Sequence, residues 1–224
     1  MSRFVLIPGA GGAAWYWHPV VPELQARGHE AVAVELPGAD ESAGLPEYTD
    51  AVVAAIGDHQ DVVLVAQSMG GFTAPMACAR TPVRLLVLLN AMIPLPGETA
   101  GQWWENTGWE AARIAVAAAG GYSEEVDLDV YFLHDVPAEI VAAGAEHEGP
   151  EAEVAFTQPC AIERWPDVPT RVIAATGDRF FPLEFQRRVA RDRLGVEVDE
   201  VPGGHLAALS RPVELADRLV KYLG

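Results

Sequence analysis

Residues 62–77 read VVLVAQSMGGFTAPMA, and how this stretch is parsed decides the fold. Val62 to Ala66 form a short apolar run, mostly β-branched, with the composition of a strand buried on both faces. From Met69 to Arg80 the pattern turns helical. At the join, Ala66-Gln67-Ser68-Met69-Gly70 follows the G-x-S-x-G pattern of a strained strand-to-helix turn, with alanine at the first small position. Small residues are needed two places either side of the serine because such a turn presses the backbone against neighbouring elements. Alanine meets that need at some steric cost. The same five-residue pattern also occurs in ordinary turns, so its weight comes from context. It leaves an apolar strand, opens a helix and uses one of only five serines in the chain.

Working outward, similar short runs rich in Val, Leu and Ile occur at Phe4 to Ile7, Ala31 to Leu36, Leu85 to Leu89, Arg171 to Ala175 and Val196 to Val201. Helical stretches fall between most of them, at Val20 to Arg27, Glu47 to Asp58, Leu183 to Arg193 and Pro212 to Tyr222. This alternation predicts an α/β protein with a doubly wound, mostly parallel sheet. It breaks between Ala91 and Asp167, a stretch too long for a loop, rich in alanine and aromatics and lacking a convincing strand. The expected organisation is therefore a core of residues 1–90 and 168–224 with a helical cap at 91–167. A plain alternative is that these helices are ordinary packing elements whose aromatics fill the core.

Composition limits the function. A chain of 224 residues with 50% hydrophobic content suits one globular unit. Its formal charge of −17 repels phosphate backbones and anionic membrane surfaces, so neither nucleic acid nor membrane is an expected partner. The expected partners are a small-molecule substrate and, at most, a second copy of the chain. The N-terminus shows no signal-peptide pattern, and no segment approaches the roughly 18 apolar residues of a membrane span, so a soluble, cytoplasmic protein is expected. Cys78 and Cys160 are isolated, giving little support to a disulfide or zinc site. Lys221 is the only lysine, which leaves lysine-dependent covalent chemistry almost without a candidate.

Two further strand ends carry chemistry. RVIAATGDRFFP, residues 171–182, places Asp178 just past a strand, and VEVDEVPGGHLAAL, residues 196–209, places His205 in a Gly-rich loop after the last strand. Taken singly, an aspartate in a Gly-Asp turn is a turn former and a lone histidine is a surface or satisfied core residue. Ser68, Asp178 and His205 at three strand ends, in the order Ser, acid, His, are harder to dismiss. In an open parallel sheet all three lie on the carboxyl edge, where ligands bind.

The first strand raises a competing possibility. In FVLIPGAGGAAWYW, residues 4–17, Gly9, Gly11 and Ala14 fit the dinucleotide fingerprint G-x-G-x-x-G/A, and Glu35 follows about twenty residues later. A dinucleotide cradle needs small residues opening the next helix, whereas Trp15, Tyr16, Trp17, His18 and Pro19 follow here. The bulky run argues against the cradle.

With these residues in view, the chain resembles the α/β-hydrolase superfamily over nearly its whole length outside the insertion. IPGAGGAAWYWHPVVPELQARGHEAVAVELPG, residues 7–38, is similar to the corresponding segment of small plant and bacterial esterases and hydroxynitrile lyases. The resemblance implies that the first and third strands are neighbours and that the N–H groups of Ala10 and Met69 form an oxyanion hole. It also implies a Ser68–His205–Asp178 triad acting on an ester or lactone, with no metal or organic cofactor. Glu35 would then belong to an acidic-Leu-Pro-Gly loop. Some relatives place their acid at Asn90, but an amide supplies no charge. The lyase branch uses a threonine in the first turn and a lysine after the histidine, where this chain has Gly9 and Leu206. A carbon-carbon lyase and a non-catalytic ligand binder remain as alternatives. Trp15, Trp17, Trp103, Trp104 and Trp109 are the candidate pocket residues, favouring small uncharged apolar or aromatic substrates. His18 is read as bordering the pocket or as a helix-start surface residue, and His134-Asp135 and Glu146-His147-Glu148 as solvated surface.

Overall fold

The computed structural model describes residues 1–147 and 149–224. Six strands, β1 Arg3–Ile7, β2 Glu30–Ala33, β3 Val62–Gln67, β4 Leu85–Leu89, β5 Thr170–Ala175 and β6 Val198–Val201, form one sheet in the order β2-β1-β3-β4-β5-β6. Every pairing is parallel. β3 and β4 are buried along their whole length, which explains why they read as unbroken apolar runs. The edge strands are shorter than their apolar runs. After Ala33 the chain still donates Val34 N–H to Leu6, then leaves the sheet to fold over the first turn, where Leu36 N–H bonds Gly12 O.

Helices cover both faces. α1 Val20–Ala26 lies on the face to which Phe4 and Leu6 point, together with two C-terminal helices, α9 Ala207–Ser210 and α10 Pro212–Lys221. On the opposite face α2 Leu45–Ile56, α3 Gly70–Cys78 and α8 Leu183–Leu194 pack over Val5, Ile7, Leu64 and Leu88. Successive strand residues feed alternate cores, as the two-residue period of a strand requires.

Between β4 and β5 the described residues form no strand. They form α4 Ala100–Thr107, α5 Trp109–Gly120, a π-helical turn Asp129–Leu133, α6 Ala138–Gly144 and α7 Glu153–Thr157. Thr99 and Gln102 cap α4 reciprocally, and Gly108, at φ +62°, turns the chain from α4 into α5. Trp103 of α4 joins the core of α3 and α8, whereas Val136 and the side chains of Leu133, Ile140 and Val141 join the other core. Among the described residues no helix is long and apolar enough to cross a membrane.

The chain runs from β1 outward to β2, then returns past β1 to β3. The carboxyl ends of β1 and β3 therefore flank the point where the sheet changes direction, a crevice between loops that diverge.

Candidate active site

Ser68 sits at the end of β3 with φ +50°, a left-handed conformation that non-glycine residues rarely adopt. Its neighbours hold it there. Ser68 N–H bonds Leu89 O at 3.4 Å, and Met92 N–H bonds Ser68 O at 3.0 Å, so the exit of β4 grips the turn on both sides. A Cβ on Gly70 would stand 2.7 Å from Pro8 O, and one on Gly71 only 1.9 Å from Met92 O. Gly70 of the motif and Gly71 beside it are thus required by backbone contact.

His205 Nε2 lies 3.0 Å from Ser68 Oγ, and His205 Nδ1 lies 2.9 Å from Asp178 Oδ2. A carboxylate only accepts, so Nδ1 carries the proton and Nε2 is left to accept from the serine hydroxyl. Asp178 is itself held by donors: Phe180 and Phe181 N–H both reach Oδ1 at 2.8 Å, and Gln186 Nε2 is 3.3 Å from Oδ2. Phe132, Phe180 and Phe181 surround the imidazole roughly edge-on, with centroids 5.0 to 5.2 Å away. This collar fixes the ring and leaves His205 only 1% exposed.

The first turn presents its backbone to the same place. Gly11 N–H is taken by Glu151 Oε2 at 2.5 Å and Ala14 N–H by Glu35 Oε2 at 2.7 Å. Among the described residues the N–H groups of Ala10 and Met69 donate to no protein acceptor. Burial pushes the Glu151 carboxyl up, against the lowering effect of its bonds from Tyr48 and Gly11. Glu151 and Glu35 thus take up two N–H groups of this turn, and acidic side chains so placed disfavour a pyrophosphate there.

A cavity of about 410 Å³ opens over Ser68 and His205. Ala10, Gly11 and Gln67 line its floor, and Phe132, Leu133, Val136, Ile140 and Leu209 supply apolar wall. Among the described residues no Asp, Glu, Lys or Arg lines it. Tyr16 also borders it; burial raises its phenol far above the usual range, keeping it neutral.

Of the five candidate pocket tryptophans, Trp15 lines this cavity and the other four do not. Trp17 is fully buried in the core beneath α1. Trp103 is fully buried against Phe181 and Phe185, its indole donating to Ile93 O. Trp104 packs at a tilt against Trp109, ring centroids 4.3 Å apart, and the Trp109 indole donates to Phe180 O at 2.7 Å. These three tryptophans therefore pack beside the Asp178 loop, against Phe180 and Phe181, and not around the cavity over Ser68 where the sequence expectation put them. Trp103 is completely buried in the core, and Trp104 and Trp109 are half-buried against it.

His134-Asp135 also departs from its expected place on solvated surface. Asp135 Oδ2 accepts Gly204 N–H at 2.7 Å, and a Cβ on Gly204 would lie 2.8 Å from His134 Nε2. Burial, followed by the nearby Arg179 charge, lowers the His134 pKa. His18 is exposed and stacks on Trp15. His147 also stacks on Trp15 and lines the cavity, while Glu148 lies outside the described residues. The aliphatic wall from Leu128 to Val141 was not anticipated, because its spacing matches that of any packed helix. Among the described residues no group of three His, Cys, Asp or Glu side chains is placed to hold a metal ion.

The chain matches the alpha/beta hydrolase family over residues 4–218. It is 27% identical to esterase PIR7B of Oryza sativa subsp. japonica, covering 98% of this chain and 95% of that protein. Methylesterase 3 of Arabidopsis thaliana is 25% identical, with 98% and 95% covered. The crystal structure of polyneuridine aldehyde esterase superposes with a TM-score of 0.82 at 22% identity, covering 100% of both chains.

Proposed function

The chain belongs to the alpha/beta hydrolase family, and from that premise we propose that it is a serine esterase acting on small uncharged esters or lactones through an acyl-enzyme. The observation that carries this reading is the relay from Asp178 through His205 to Ser68, at 2.9 and 3.0 Å, assembled from three strand ends. The esterases among its relatives support the same reaction class.

Ser68 Oγ attacks the acyl carbon while His205 Nε2 takes its proton, since an unassisted hydroxyl is a weak nucleophile. Asp178 holds the imidazole in the required tautomer and stabilises the imidazolium. The developing oxyanion meets the N–H groups of Ala10 and Met69, each contributing about 2.7 to 4 kcal/mol. His205 returns the proton to the leaving alcohol, and water repeats the sequence on the acyl-enzyme. A cavity with apolar walls, lined among the described residues by no Asp, Glu, Lys or Arg, suits neutral acyl and alcohol groups.

A lyase reading fares worse. A Cβ on Gly9 would stand 2.4 Å from Gln67 Oε1 and 2.9 Å from Ser68 Cβ, so the first turn has no room for the threonine of that branch. Turnover of a p-nitrophenyl ester panel, with a serine-directed phosphonate identifying the labelled residue by mass, tests the assignment. Saturable hydrolysis with label on Ser68 is expected. Ligand binding without turnover, or label on Ser42 or Ser210, would reject it.

A further inference from the structure

We infer that Asn90 is a positioning residue that registers the nucleophile, base and acid loops against one another through both ends of its amide; this rests on the Ser68–His205–Asp178 reading. Asn90 directly follows β4, is fully buried and has φ +44°, the only non-glycine besides Ser68 at positive φ among the described residues. Its amide nitrogen donates to His205 O at 3.0 Å and to Gly204 O at 3.2 Å. Its amide oxygen accepts Ala175 N–H at 2.7 Å, at the end of the strand leading to Asp178, and lies 3.4 Å from Gln186 Nε2. That same Gln186 nitrogen is 3.3 Å from Asp178 Oδ2. The residues either side complete the arrangement: Leu89 O and Met92 N–H hold the two backbone polar groups of Ser68.

The partners dictate the chemistry at position 90. Two carbonyls require a donor, a backbone N–H requires an acceptor, and a primary amide supplies both without charge. The left-handed backbone is one that asparagine tolerates better than most residues. A carboxylate would satisfy Ala175 N–H but set its second oxygen against the carbonyls of Gly204 and His205. Its neutral form would donate to one of them and restore the contact. The titratable groups nearest this place are Asp178, reached through Gln186, and His205, whose carbonyl the side chain faces.

The test uses Asn90→Asp and Asn90→Ser, with Ser68→Ala and phosphonate labelling of the parent run alongside. For Asn90→Asp, kcat relative to the parent at each pH should fall as pH rises and the introduced carboxyl ionises, with KM little changed. Burial and facing carbonyls place that titration above the ordinary carboxylate range. The shorter Asn90→Ser side chain cannot span both loops, and small displacements of a reacting group can lower kcat by up to ~100-fold. A loss of that kind at every pH, with KM retained, is expected. Parental kcat and pH profiles in both variants would overturn the proposal. If neither variant folds by circular dichroism, Asn90 is a determinant of the fold and the positioning role is likewise overturned. If Asn90→Asp alone fails to fold, Asn90→Ser decides. Undiminished activity in Ser68→Ala, or parent label on another serine, would instead reject the underlying triad reading.

Discussion

Ser68 and Asn90 hold left-handed backbones at the ends of adjacent strands, each at a cost of about 1–3 kcal/mol that the surrounding contacts must offset. Gly71 shows how little slack remains. A methyl group there would meet Met92 O at 1.9 Å, and Met92 N–H is a partner of Ser68 O. Gly71→Ala should therefore lower stability by about 1–3 kcal/mol or more and reduce turnover in the protein that still folds. Urea unfolding and kcat on one ester check both; parental values would show the contact to be soft. Under the proposed mechanism Ser68→Ala removes only the attacking oxygen, so it should keep the parental urea midpoint while kcat falls by several orders of magnitude. Ser68, His205 and Asp178 were legible because each follows a strand and the three fall in one chain order. The partners of Asn90 are backbone atoms of residues 85, 114 and 115 positions away in sequence, which no local pattern records.

Among the elements, the central strands were legible because burial on both faces forces continuous apolar runs, while the edge strands β2 and β6 are shorter than the runs that suggested them. The stretch between β4 and β5 was legible as helical but not in its use. Tryptophans that fill a core and tryptophans that line a pocket have the same spacing, and the aliphatic wall around Val136 and Ile140 carries no distinguishing sign in the sequence. Structure separates the two roles and gives opposite expectations. Trp103→Ala should lower stability by about 3–5 kcal/mol, as loss of a buried aromatic does, with equal effect on short and long acyl esters. Ile140→Ala enlarges the cavity and should move the preferred acyl length upward at little cost in activity toward acetate. Each buried methylene is worth about 0.8 kcal/mol until the space fills, so the shift should appear in kcat/KM across a homologous ester series. A shift for Trp103→Ala but none for Ile140→Ala would return the tryptophans to the pocket.

For the whole molecule, the formal charge of −17 means that modest acidification first relieves repulsion, until carboxylates required by the fold begin to protonate. Glu98 is one of these. Its side chain is 3% exposed and paired with Arg193 of α8, while Asn106 of α4 and Leu95 N–H also donate to it, so it ties α4 and the segment before it to α8. Burial alone would raise its carboxyl, but Arg193, Asn106 and Leu95 outweigh that and hold it below the ordinary glutamate value of 4.5. Folding thus favours the ionised form. The associated stability is fully present above pH 4.5 and is lost as pH falls through the lower folded-state value. Glu98→Gln removes the charge at every pH and leaves Arg193 buried without its counter-ion, a change that costs about 3–5 kcal/mol where such pairs are closed to water. The stability gap between parent and Glu98→Gln should therefore be widest near neutrality and close below pH 4.5, as the parent glutamate gains its proton. Urea midpoints of both proteins from pH 7 to pH 3 measure this gap directly. A gap independent of pH would mean that the glutamine shape, rather than the lost charge, accounts for the difference.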